Sequence, residues 1–150
     1  MSAPGAQAMR VIDASLDRFK PERIMTALQN TTEMLIDAEF AAHETPYGEP
    51  WPARTDGVPA LTRFRRHLTV THAGWKLRVT IRHPGAKAHN YGAEIWAKTA
   101  SMLRFRLPNG TWITTPSVVL PQRRMVPGDS GMPDRWRTLY LSAIRGASHG

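Results

Sequence analysis

Residues 75–83 read Trp75-Lys76-Leu77-Arg78-Val79-Thr80-Ile81-Arg82-His83. Apolar and polar side chains alternate strictly, which is the period of a half-buried β-strand, because successive side chains leave opposite faces of a sheet. The side predicted to face the core is apolar: Trp75, Leu77, Val79 and Ile81. The side predicted to face outward is mostly cationic: Lys76, Arg78, Thr80 and Arg82.

The same alternation recurs at residues 103–107. Its apolar residues, predicted to point inside, are Leu103, Phe105 and Leu107. Its outward residues are Arg104 and Arg106. Two strands with arginine on the outer face indicate a sheet that faces an anionic surface. A solvated sheet face, kept soluble by its charge, is the alternative that the pattern alone leaves open.

Composition narrows the class of protein. A chain of 150 residues suits a single domain with a real core. It has no cysteine, which excludes a disulfide scaffold, a thiolate nucleophile and a sulfur-based zinc site. No apolar stretch approaches the roughly 20 residues of a membrane span, so no membrane partner is expected. Nothing at the N-terminus reads as a signal peptide, and residues 1–9 are predicted to be flexible.

Charge is distributed unevenly along the chain. Residues 1–50 carry four basic and eight acidic residues, a net charge of −4. Residues 51–150 carry sixteen basic and four acidic residues, a net charge of +12. The basic part is suited to nucleic acid, and the unlike parts of neighbouring copies are suited to a head-to-tail contact.

A long amphipathic helix is predicted from Pro21 to about His43. Its apolar face follows a 4-3-4-3-4 spacing: Ile24, Leu28, Thr31, Leu35, Ala38 and Ala42, widened by Met25, Ile36 and Phe40. Its acidic residues are the candidates for an inter-subunit face: Glu33, Asp37 and Glu39. The simpler interpretation is a helix that lies on a sheet with these acids in solvent.

Residues 44–60 contain prolines and glycines that exclude a helix or a central strand, so a long loop is predicted. Long loops in compact domains are uncommon unless they are functional. Trp51 is expected to pack over the edge of the core. His89 and Tyr91, on a short helix or turn between residues 86 and 97, are the other predicted loop anchors.

The remaining elements complete an α+β prediction. A strand at residues 67–72, with Leu68 and Val70 inward, forms a hairpin with residues 75–83, and residues 102–107 and 111–115 form a second hairpin. A final helix is predicted from Pro133–Asp134 to about Ile144. The expected architecture is an antiparallel sheet of two hairpins packed against the long N-terminal helix and the C-terminal helix.

Motifs for catalysis, metals and cofactors are weak, and the chain is predicted not to be an enzyme. Gly128-Asp129-Ser130-Gly131 matches the tetrapeptide at the nucleophile of chymotrypsin-like proteases, but those enzymes need a larger double barrel and a positioned histidine. A turn near the last helix explains it better. No histidine pair has metal-ligand spacing, and no phosphate-binding glycine loop is present. A small enzyme that uses His89 or Ser130 stays as a minor hypothesis.

Several motifs together resemble a known family. After the acidic helix come Pro46, Gly48, Pro50 and Trp51, then an Ala-x-x-His-Asn-Tyr-Gly element at residues 86–92, and an extended Leu-Pro-x-Arg-x-x-x-Pro stretch at residues 120–127. This order resembles the tail-completion or virion-morphogenesis proteins of Mu-like tailed phages. The last stretch keeps the first proline and Arg123 of the family pattern but lacks its second proline and its aromatic residue.

The resemblance implies a structural virion protein of the head–tail interface. Such a subunit would form a ring, commonly a hexamer, that completes or terminates the tail, joins it to the head connector and lets DNA pass through the lumen. Its partners would be further copies of itself, the tail tube protein, the head-completion or stopper protein and, without sequence preference, the packaged DNA. It would reside in the virion, and in the host cytoplasm during assembly.

In such a ring, the basic residues of the two hairpins would face the lumen or the next subunit: Lys76, Arg78, Arg82, Arg104 and Arg106. The alternative function is a sequence-nonspecific nucleic-acid-binding module, which the +12 segment alone suggests.

Overall fold

The structure is a computed structural model that describes residues 20–54, 57–107, 109–128 and 130–149. Its helices are α1 (Pro21–Ala42), a 3₁₀ helix (Phe64–His67), α2 (Ala86–Tyr91) and α3 (Asp134–His149). Its strands are β1 (Leu68–Ala73), β2 (Lys76–Ile81), β3 (Ala93–Trp96), β4 (Leu103–Arg106), β5 (Trp112–Thr115) and β6 (Ser117–Leu120). The predicted α+β class, with antiparallel hairpins and a helix near each end, is confirmed. The flexible segment predicted for residues 1–9 lies outside the described residues.

Helix α1 begins at Pro21, as predicted, because proline lacks the N–H that a first helical turn leaves unbonded. It ends at His43, whose left-handed backbone (φ 55°) stops the helix. The buried residues are Ile24, Met25, Thr32, Leu35, Ile36, Glu39 and Phe40. The predicted apolar face was therefore partly wrong, since Ala38 and Ala42 are exposed. The face is rotated because the β1–β2 hairpin contacts one side of α1 and α3 contacts the other.

The β1–β2 hairpin pairs Val70 with Val79 and turns at Gly74, whose φ of 55° suits glycine. Leu68 and Val70 are buried, as predicted, and Leu77, Val79 and Ile81 pack against the core from the same face of the hairpin. Trp75 is the exception to the predicted alternation, because it lies in the turn and is 61% exposed.

The core lies between α1, the hairpin and α3. Its buried cluster is Leu35, Ile36, Phe40, Trp51, Phe64, Leu68, Val70, Met125 and Trp136. Trp51 belongs to the loop predicted for residues 44–60, which we call the proline-rich loop, and it anchors this loop to the cluster. The centroid of its ring lies 4.9 Å from that of Phe40 in an edge-on contact, and its Nε1 donates to the carbonyl of Arg124 at 2.9 Å. The prediction that Trp51 packs over the core edge is confirmed. The described part of the loop contains no helix or strand, only an isolated bridge between Glu44 and Pro50.

The second predicted hairpin, β4–β5, is present, and it is flanked in the sequence by a strand pair that was not predicted, β3–β6. The two pairs are nested, and the N–H of Ala97 donates to the carbonyl of Pro116 between them at 3.3 Å. We call residues 93–120 the arm. The prediction that Leu103, Phe105 and Leu107 lie inside is wrong: none belongs to the core cluster, and Phe105 is 37% exposed. The side chains of a two-stranded ribbon alternate between its two sides even where no second layer of structure covers either side.

Candidate functional site

The outer face of the β1–β2 hairpin brings three of the five predicted basic residues together. Lys76 and Arg78 alternate with core-facing residues on β2, and Arg82 continues the alternation directly after the strand. The pairing of β1 with β2 adds threonines to the same face, since Thr71 lies opposite Arg78 and Thr69 opposite Thr80. We call this set the cationic face: Thr69, Thr71, Lys76, Arg78, Thr80 and Arg82.

The charges of the cationic face are exposed. The side chains of Lys76, Arg78 and Arg82 make no hydrogen bond or ion pair to another residue within the described part of the chain. Alternate residues of a strand stand about 7 Å apart, so the three cations form a row and not a single point of charge. Such a row, flanked by hydroxyl groups, can contact several oxygens of an anionic polymer.

The other two predicted basic residues lie on a different sheet and are engaged within the chain. The guanidinium of Arg104 lies 4.7 Å from the ring centroid of Trp112, in cation–π contact. Arg106 donates from Nε to the carbonyl of Gly110 at 3.2 Å, across the turn of its own hairpin. The five basic residues therefore form two surfaces, because β1–β2 and β4–β5 are separate two-stranded sheets.

The predicted acidic face is only partly present. Glu33 is half-buried, and Asp37 is exposed and accepts a bond from Arg65 Nε at 2.6 Å. Glu39 is 1% exposed, so its assignment to an inter-subunit face is wrong. The physical reason is that α3 covers this side of α1, and the Glu39 side chain points at Trp136 on α3.

Glu39 is the most perturbed acid described. Its Oε1 accepts the indole N–H of Trp136, whereas its Oε2 is buried and has no hydrogen-bond partner among the described residues. Burial raises the pKa of Glu39 from 4.5 to about 7, against the opposing effects of the Trp136 hydrogen bond and the charge of Arg135. Glu39 is thus a structural acid that is half protonated near neutrality.

The 86–92 element has a different anchor from those predicted. Tyr91 is 58% exposed, so its assignment as an anchor is wrong. The imidazole Nδ1 of His89 is buried without a hydrogen-bond partner among the described residues, so the imidazole does not anchor the loop through that atom. Asn90 does so instead: it is 5% exposed, and its Oδ1 accepts the N–H of Met125 at 2.9 Å.

Arg123 links the same region to the proline-rich loop. Its N–H donates to the carbonyl of His89 at 2.7 Å, and its buried guanidinium donates to the carbonyls of Pro52 at 2.7 Å and Ala53 at 3.3 Å. In the sequence, Asn90 and Arg123 are recognisable only as parts of the motifs at residues 86–92 and 120–127. Asn90 lies inside a short helix and Arg123 is flanked by Gln122 and Arg124, and neither local pattern identifies a partner.

Three histidines surround Phe64: His67, His83 and His89, with ring centroids 5.6, 4.5 and 5.6 Å from the phenyl ring. Burial, with the nearby charges of Arg123 and His83, lowers the pKa of His89. Among the residues that the structure describes, no group of three histidine or acidic side chains could hold a metal ion.

A half-open cavity of about 470 Å³ lies between the proline-rich loop and the segment before α3. Its polar lining includes Tyr47, Glu49, Arg124 and Ser130. No described histidine lines it, and His89 lies elsewhere, against Phe64. Ser130 lines this cavity, whereas His89, the alternative residue of the enzyme hypothesis, lies at a different place in the fold.

No described helix has the length and apolar character needed to cross a membrane. Comparisons of the chain with protein-family models, with curated proteins and with solved structures found no match.

Proposed function

We propose that the chain is a structural subunit of a tailed-phage particle that forms a ring, hexameric by the family resemblance, at the head–tail junction. Packaged DNA would pass through the lumen of this ring. The observation that carries the proposal is the cationic face: its lysine and arginines are exposed and project from the side of the hairpin opposite the core. The order of motifs that resembles tail-completion proteins supports the particle as its location.

A row of arginine and lysine on a sheet face recognises phosphate without reading base edges, so the contact would be independent of DNA sequence. That property suits a conduit, through which every part of a genome must pass. Residues 1–50 carry a net charge of −4 and residues 51–150 a net charge of +12, which would give each subunit unlike sides for a closing, head-to-tail contact. The proposed neighbours of the ring are the tail tube protein and the head-completion protein.

The test is to locate the chain in particles. Tailed particles purified from cells carrying the native genome should contain the chain by mass spectrometry, and cryo-electron microscopy should place a ring of it at the head–tail junction. Deletion of its coding sequence should leave filled heads and unjoined tails. Particles that are complete and infectious without the chain would refute the proposal.

A sequence-nonspecific nucleic-acid-binding module is the second candidate, because the cationic face would also bind duplex DNA outside a particle. This candidate predicts that the purified chain retards any duplex at low salt, with affinity that falls steeply as salt rises. It also predicts that purified particles lack the chain, which separates it from the first proposal.

A further inference from the structure

The β4–β5 ribbon of the arm has two unlike sides. The strand register places Arg106 opposite Trp112 and Arg104 opposite Thr114, so these four residues share one side. All four are exposed, and we call them the arginine–tryptophan side. The other side is less accessible, and its residues are Leu103, Phe105, Ile113 and Thr115.

Trp112 is unusual on the more exposed side of a ribbon, because a large aromatic ring gains free energy when it is buried. It is nevertheless 55% exposed. The guanidinium of Arg104, its diagonal neighbour on β4, lies over the ring at 4.7 Å from the centroid. The indole is therefore held in place by a cation and is still accessible to a ligand.

The charge around this ring is positive. Arg106 donates from Nε to the carbonyl of Gly110 at 3.2 Å, which fixes its side chain at the turn of the ribbon. That bond uses one of the five N–H donors of a guanidinium, so the others remain for a ligand. Between residues 95 and 128 the sequence contains no acidic residue, so no carboxylate of this segment neutralises the two arginines.

We propose that the arginine–tryptophan side of the arm binds single-stranded nucleic acid. A base would stack on Trp112, and the guanidinium groups of Arg104 and Arg106 would contact the flanking phosphates. Aromatic rings beside cations bind single strands without sequence preference, because every base has a π-face and every nucleotide a phosphate. The positive charge selects an anionic partner, and the accessible ring selects a partner with planar faces.

A single strand suits this surface better than a duplex does. In a duplex, each base covers the faces of its neighbours and offers only its edges in the grooves, where a stacking ring finds no partner. The cationic face, by contrast, consists of threonines, a lysine and arginines, and it lies on a separate sheet. The inference therefore goes beyond the proposed function and is carried by different residues.

Fluorescence anisotropy of the purified full chain with labelled oligomers tests the stacking contact. The probes are a single-stranded oligothymidylate of about 12 nucleotides, within the site sizes of single-strand binders, and an abasic oligomer of equal length and charge. We expect the abasic oligomer to bind about 5- to 100-fold more weakly, because it offers phosphates but no base to stack. Equal affinities for the two oligomers would overturn the proposal without any substitution in the chain.

Substitutions locate the contact. Trp112→Ala should lower the affinity for the oligothymidylate to that for the abasic oligomer, and Trp112→Phe, which keeps a ring, should restore most of it. The matched control is Trp96→Ala, since that indole is 58% exposed in the same arm but shares its side of β3 with Glu94 and not with an arginine. This control should bind the oligothymidylate as the native chain does, and circular dichroism checks that each variant is folded.

The remaining outcomes are equally decisive. Equal losses for Trp112→Ala and Trp96→Ala would show that the arginines do not select the site, and would overturn the proposal. A native chain that binds no single strand at low salt would also overturn it, and would leave an acidic protein surface as the partner of this side. Neither result would refute the proposed function, which is tested by the presence of the chain in purified particles.

Discussion

Trp136 on α3 donates its indole N–H to the carboxylate of Glu39 on α1, and both side chains are almost completely buried. This pair joins the two helices that lie furthest apart in the described sequence. It also places an acid in the core, where only its neutral form is well tolerated.

Glu39 predicts a stability that falls as pH rises. Because its pKa is about 7 in the folded chain and 4.5 in the reference state, the folded chain binds more protons between these values. The free energy of unfolding should therefore decrease from pH 4.5 to pH 7, by an amount on the order of 3 kcal/mol as an upper bound, and level off above pH 7. Urea unfolding across this pH range measures it.

The control is Glu39→Gln, which keeps an acceptor for Trp136 but cannot ionise. It should be more stable than the native chain at pH 8, and the difference should shrink towards pH 5. Parallel pH profiles for the two chains would show that Glu39 ionises normally in the folded state.

Truncation of Asn90 and truncation of Tyr91 should differ in their effect on the free energy of unfolding. Asn90→Ala removes the acceptor of the buried Met125 N–H, which should reduce the free energy of unfolding by about 1–3 kcal/mol. Tyr91→Ala, at an exposed neighbour, should change it by less than about 0.5 kcal/mol. Chemical denaturation of both variants measures the contrast, and a larger loss for Tyr91→Ala would contradict the assignment of Asn90 as the anchor.

Removal of one charge from the cationic face should weaken DNA binding and its dependence on salt. Arg78→Ala should weaken binding to duplexes of any sequence and reduce the slope of log affinity against log salt by roughly 1. Arg145→Ala removes the same charge from an exposed position of α3 and is the matched control. Fluorescence anisotropy at several salt concentrations measures both, and equal losses would mean that net charge, not this face, governs binding.

Trp75 and Leu77 test the hairpin assignment. Both belong to the apolar set of residues 75–83, but Trp75 is exposed in the turn and Leu77 packs against the core. Trp75→Ser should change the free energy of unfolding by less than about 0.5 kcal/mol, whereas Leu77→Ala should cost about 1–3 kcal/mol. Thermal unfolding measures the two, and a severe effect of Trp75→Ser would place that indole in the core.

Much of the fold was predictable because its determinants are local. Pro21 at the start of α1, the alternation of residues 76–82 and the turn at Gly74 act through backbone geometry within a few residues. Trp51 could be assigned to the core edge because a large apolar side chain in a long loop gains free energy mainly by burial. The cationic face follows from the same alternation, because the apolar side of the hairpin packs against the core and the other side faces outward.

The remaining features depend on which surfaces meet. The residue type of Glu39 and its position in the helical pattern predict an acid in solvent. It is buried beneath Trp136 only because α3 packs on this side of α1. Residues 103–107 alternate as residues 75–83 do, yet no second layer covers them, because alternation states which side chains share a face and not what lies above it. The sequence by itself thus determined the helices and strands and which side chains share a face of each. The tertiary structure decided which of these faces are buried, because burial requires two surfaces that are distant along the chain to meet.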